Sequence, residues 1–88
     1  MIKIVRIKAL WCMSCLVMEK TWKKVLLEFP DIEIIDYDYD DDRDKIDDLE
    51  VGNILPLLIV YRNDKEISRI SGEKSYQEMI DIFRSFKL

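Results

Sequence analysis

The sequence predicts an α/β domain: a four-stranded mixed sheet with helices on its faces, in the order β-α-β-α-β-β-α. Three observations predict it. A β-branched opening segment runs directly into an amphipathic stretch of helical period, the alternation that builds neighbouring parallel strands. A continuous apolar run after Pro56 has the composition of a strand buried on both faces. A turn signal at Asn63-Asp64 then folds a further strand back on that run. The chain has 88 residues, 49% of them hydrophobic. That suits one packed domain spanning residues 1–88 with one core, and is too short for two.

Taken in order, Ile2 to Ala9 reads as the first strand, β-branched and partly alternating. From Cys15 to about Phe29, Val17, Met18, Thr21, Trp22, Val25 and Leu26 recur at helical spacing. Glu19, Lys20, Lys23 and Lys24 lie largely on the other side, and Pro30 ends the segment. Ile32 to about Tyr39 is a second strand, with Ile35, Tyr37 and Tyr39 on one face and Asp36 and Asp38 on the other. A short polar helix is expected over Asp42 to Glu50.

Pro56 opens the run Leu57-Leu58-Ile59-Val60-Tyr61, as proline can at the first residue of a strand. Glu66 to Ser71 is the return strand of a hairpin, closed by Gly72. Ser75 and Glu78 have the capping-box spacing. The last helix should turn Tyr76, Met79, Ile80, Phe83 and Phe86 inward. The first two strands should be parallel, joined by a right-handed crossover, and the last two an antiparallel hairpin.

Composition excludes several classes. The net charge is −4, with nine acidic residues between Asp36 and Glu50, and no dense basic stripe exists to neutralise phosphates. Nucleic acid is therefore not an expected partner. The plain reading of the acidic run is a solvated, solubilising surface. No run is long enough to span a membrane, and the N-terminus, with Lys3, Arg6 and Lys8 among its isoleucines, lacks an uninterrupted apolar signal segment. A cytoplasmic protein without membrane contact is expected, as a monomer. There is no histidine, which removes the usual general base and every Cys-His catalytic pair.

The two cysteines form Cys12-Met13-Ser14-Cys15, a Cys-x-x-Cys motif between a strand and a helix. At the helix N-terminus, unpaired amides and the helix dipole favour a Cys12 thiolate, the nucleophile of disulfide exchange. Two intervening residues put Cys15 one turn further on, deeper and less exposed, where it can close a disulfide with Cys12. Three other readings stand beside this one: two ordinary buried thiols; half of a zinc or iron site, which two cysteines without histidine complete only in a dimer; and a non-catalytic interaction domain whose working surface is the acidic run.

With its neighbours the motif resembles the thioredoxin family. Trp11-Cys12-Met13-Ser14-Cys15 is similar to that family's Trp-Cys-x-x-Cys site, and Asp36-Tyr37-Asp38-Tyr39-Asp40 to its second strand. Leu55-Pro56 falls where the family carries a cis-proline before a buried strand, with Pro56 44 residues after Cys12. Gly72 follows 16 residues beyond Pro56. The resemblance covers essentially the whole chain. It implies a thioredoxin-like fold and a protein-disulfide reductase in which Cys12 attacks and Cys15 resolves. Pro56 would be cis beside the disulfide, Leu55 would offer its backbone to an extended substrate segment, and Trp11 would flank the site as an apolar contact. Partners so implied are disulfide-containing proteins and a separate thioredoxin-type reductase, with no cofactor and no metal in this chain. A glutaredoxin-like enzyme working with glutathione is the nearest alternative, disfavoured because no Gly-Gly pair follows the proline strand.

The sequence also departs from that family. It begins at the strand before the site, without the family's additional N-terminal strand and helix. Arg6 stands six residues before Cys12, where an aspartate is usual, and Lys8 where an aromatic is common. Met13-Ser14 replaces Gly-Pro, and Leu57 replaces a threonine. Charges at Arg6 and Lys8 are expected either to meet Asp36, Asp38 or the acidic segment, or to reach solvent.

Overall fold

The computed structural model describes residues 1–87, with Lys87 by its backbone alone. β1 (Ile2–Lys8) lies inside the sheet. β2 (Glu33–Asp38) runs parallel to it on one side and β3 (Leu57–Arg62) antiparallel on the other. β4 (Lys65–Ser71) pairs antiparallel with β3, giving the order β2-β1-β3-β4. The mixed sheet, its parallel first pair and its terminal hairpin are those the sequence predicts. Asn63 and Asp64 turn the hairpin with φ of 51° and 69°. Asparagine and aspartate tolerate that left-handed region, and its twist matches the flanking strands.

Helix α1 (Met13–Glu28) starts two residues before the expected Cys15, because Cys12 is itself the N-cap. Its buried positions, Cys15, Met18, Trp22 and Val25, trace one stripe at helical spacing. Val17, expected on that stripe, is 58% exposed, since one residue from Met18 is a rotation of about 100° away from the core. The expected polar helix is a single turn, α2 (Arg43–Ile46), followed by a 3₁₀ turn over Asp47–Leu49. Helix α3 (Tyr76–Lys87) carries the capping box: the Glu78 amide donates to Ser75 Oγ at 3.1 Å and the Ser75 amide to Glu78 Oε1 at 3.0 Å. Met79, Ile80, Phe83 and Phe86 point inward as expected. Tyr76 does not. It is 40% exposed, placed in the first turn, where it borders a surface groove with Lys24 and Leu27 of α1.

The alternation of β1 divides the core. Ile2 and Ile4 face α1 and α3 and pack with Trp22, Val25, Val60, Met79 and Phe83. Val5 and Ile7 face the other way and pack with Ala9, Cys12, Cys15, Ile46, Leu55, Leu57 and Ile59. Side chains of successive strand residues point to opposite faces, so the burial of both sets makes β1 and β3 central strands. Among the described residues no helix is long and apolar enough to cross a membrane.

Candidate active site

The site is built where β1 ends and α1 begins. After Ala9 the chain turns through Leu10 and Trp11, closed by the Cys12 amide donating to the Ala9 carbonyl at 3.1 Å. Cys12 has extended backbone (φ −88°, ψ 107°), the geometry of an N-cap. Its Sγ accepts the Cys15 amide at 3.1 Å, and its carbonyl accepts the Leu16 amide at 3.2 Å. A sulfur thus occupies the place of a capping oxygen, against the positive end of a sixteen-residue helix.

Both thiols are free and both are largely covered, Cys12 at 8% exposure and Cys15 at 3%. The order matches the expectation that Cys15 lies deeper. Burial pushes the Cys15 thiol up to about 11, and its side-chain hydrogen bond with Cys12 pushes in the same direction. Lys8 and a backbone hydrogen bond at Ala9 pull against that rise. A cavity of about 180 Å³ opens beside the pair, bordered by both cysteines with Lys8, Leu10, Met13, Leu16, Glu19 and Asp38 among its walls.

Ahead of β3, the Leu55-Pro56 peptide bond is cis. Pro56 is fully buried, and the Leu55 side chain packs in the same cluster as both cysteines. The Pro56 carbonyl accepts the Gly72 amide at 2.9 Å, and Gly72 has φ of 77°, a conformation glycine adopts without penalty. The segment after Gly72 docks on α1: Ser14 Oγ donates to Glu73 Oε2 at 2.8 Å, and the Lys74 amide contacts Met18 Sδ at 3.4 Å. The segment after β4 therefore meets the first turns of α1, next to the cysteine motif.

Trp11 is 62% exposed and is not loose. Its Nε1 donates to Asp40 Oδ2 at 2.6 Å, and its ring meets Tyr39 edge-to-face with centroids 5.9 Å apart. Tyr39 is in turn covered by the Arg43 guanidinium, 4.3 Å from its ring centre. Asp38 Oδ1 accepts the amides of Asp40 and Asp41 at 2.8 and 2.9 Å, and Asp42 Oδ2 accepts the Asp38 amide at 2.8 Å. The Asp38–Asp42 part of the acidic run is thus a folded turn that holds Trp11, while seven of the nine acidic residues of the run are exposed, as a solvated surface requires. Spacing alone gave no signal for this, because the Trp11–Asp40 contact joins residues far apart in the chain.

The two cations of β1 go separate ways. Arg6 donates to Asp36 through Nε at 2.6 Å and Nη2 at 2.9 Å, opposite it in the β1–β2 register, and lies over the Trp22 ring at 5.0 Å. The expected meeting of Arg6 with Asp36 is therefore present. Lys8 pairs instead with Glu19 on α1 at 3.3 Å.

A cysteine-capped helix on a four-stranded mixed sheet, with a second thiol one turn on and a cis-proline leading into β3, defines the thioredoxin-like class of dithiol proteins. The sequence profile of the thioredoxin family matches residues 2–85. The chain belongs to the thioredoxin family, whose members in general carry out thiol–disulfide oxidoreduction. Solved structures agree on the fold. Thioredoxin from Trypanosoma brucei brucei superposes with a TM-score of 0.85 at 22% identity, over 100% of this chain and 77% of that one. Thioredoxin from Fasciola hepatica gives 0.81 at 23% identity, over 94% and 79%. A malarial protein gives 0.86 at 18% identity, over 99% and 98%. No curated protein matches the chain.

Proposed function

We propose that this chain is a cytoplasmic protein-disulfide reductase. The observation that carries this is the pairing of unlike thiols: a Cys12 sulfur capping α1 and a deeper Cys15 whose proton is held tightly. Cys12 attacks a disulfide of a partner protein. The bond between the two substrate sulfurs breaks, a mixed disulfide forms at Cys12, and the leaving substrate sulfur takes up a proton. Cys15 then attacks Cys12 Sγ, closing Cys12–Cys15 and releasing the second substrate thiol. Each cycle moves two electrons from the dithiol to the substrate, and a separate reductase restores the dithiol. Trp11 and the Leu55-Pro56 backbone are the expected contacts for an extended substrate segment, the first held in place by Asp40.

The test is dithiothreitol-driven reduction of a model disulfide protein. Wild type should accelerate it. Cys12→Ser should abolish the acceleration, and Cys15→Ser should accumulate a covalent mixed disulfide visible on a non-reducing gel. Unchanged activity in Cys12→Ser would remove the proposal.

A further inference from the structure

We propose that Lys8, steered by Glu19, is the positioning cation that stabilises the Cys15 thiolate in the second half of the exchange. The inference rests on the disulfide-exchange reading above and deepens it. Cys15 attacks only as the thiolate, and its surroundings work against ionisation: it is 3% exposed, with its thiol pushed up to about 11. The groups that face it are few. Cys12 faces it from the N-cap, Lys8 from β1, Glu19 from α1 and Asp38 from β2, all bordering one cavity of about 180 Å³. Asp38 is occupied by the amides of its own turn. Lys8 is the one cation among the described residues lining that cavity.

Two contacts fix the Lys8 ammonium there. Glu19 Oε1 lies 3.3 Å from Nζ, and the Trp22 ring centre lies 5.9 Å from it. Glu19 is four residues after Cys15 and therefore on the same face of α1, so the helix that carries the thiol also carries the anchor of its cation. The ammonium lowers the cost of the Cys15 anion. In the step itself Cys15 loses its proton to solvent and its sulfur attacks Cys12 Sγ. The Cys12–Cys15 bond forms and the bond from Cys12 to the substrate sulfur breaks. That sulfur leaves with the electron pair and is then protonated. Lys8 gives up no proton and forms no bond.

An ordinary surface ion pair affects stability slightly and leaves a thiol's pH profile alone, so kinetics separate the two roles. The probe is dithiodipyridine, uncharged, mixed with the reduced protein. A first phase of thiopyridone release reports attack by Cys12, and a second, concentration-independent phase reports resolution by Cys15. Lys8→Met should slow the second phase roughly three- to tenfold at pH 7 and move its pH midpoint upward by half a unit to one unit. Glu19→Gln, which loosens the ammonium from its anchor, should move both in the same direction by less, and Lys8→Arg should retain most of the wild-type rate. A second phase in Lys8→Met within about twofold of wild type with an unmoved midpoint would overturn the inference, as would a second phase in Glu19→Gln faster than that of wild type. Should wild type show no first phase, the exchange reading fails with it; a normal first phase with a silent Lys8→Met sinks the Lys8 role alone.

Discussion

The two faces of the sheet are both dry, yet they are built for different ends. Toward α1 and α3, long helices close over Ile4, Val25, Val60, Met79 and Phe83, with aromatic pairs of Phe83 to Phe29 and Phe86 at 5.5 and 5.1 Å. The opposite face is covered by one helical turn and a 3₁₀ turn, and it is there that Cys12, Cys15 and Leu55 join Val5, Ile7 and Ile59. One face supplies bulk apolar burial; the other places reactive sulfurs at its rim. The lesson is that a short chain can keep chemistry away from its largest packing contacts, because alternate residues of one strand serve opposite faces.

That comparison can be broken by substitutions on each side. The largest effect is expected from Phe83→Ala, which should cost about 3–5 kcal/mol of stability through lost burial and the cavity left behind. Urea unfolding measures this. In the folded fraction the Cys12 reactivity should be unchanged; a comparable loss of thiol reactivity would show that the faces are coupled. A smaller effect is expected at the Arg6–Asp36 pair, which links β1 to β2. The Arg6 guanidinium, through its hydrogen bonds and charge, holds the Asp36 carboxyl below the usual carboxylate range. Its stabilisation is therefore present above the unfolded-chain value of about 3.9 and is lost as pH falls through the lower folded value. Asp36 is about half exposed, so solvent screening limits the loss in Asp36→Asn to about 1 kcal/mol or less at pH 7. Urea midpoints of the variant and wild type should converge at acid pH, and a gap that persists there would assign the effect to packing.

Much of this was legible in the sequence wherever the signal was local. The strand–Cys-x-x-Cys–helix junction, the Asn63-Asp64 turn and the Ser75–Glu78 cap each lie within a few residues, and the structure has them at those positions. Apolar residues near a stripe were harder: Val17 and Tyr76 are exposed because side-chain type does not say which way a helix is rotated or where its end projects. Contacts across the fold left no local trace. Asp40 on Trp11, Glu73 on Ser14 and Glu19 on Lys8 depend on how β1, α1 and the loops assemble. Arg6 is intermediate, since the strand assignment put Asp36 within its reach while Lys8 found a different partner.

The two thiols three residues apart differ in setting, which should make them differ in reactivity: one caps α1 and the other is buried in its first turn. This difference is tested most directly by alkylating the reduced protein with iodoacetamide across a pH series and reading each cysteine by mass spectrometry. Cys12 should be modified ahead of Cys15, which should stay protected until the pH approaches about 11. Equal rates at the two positions, or Cys15 reacting first, would contradict it.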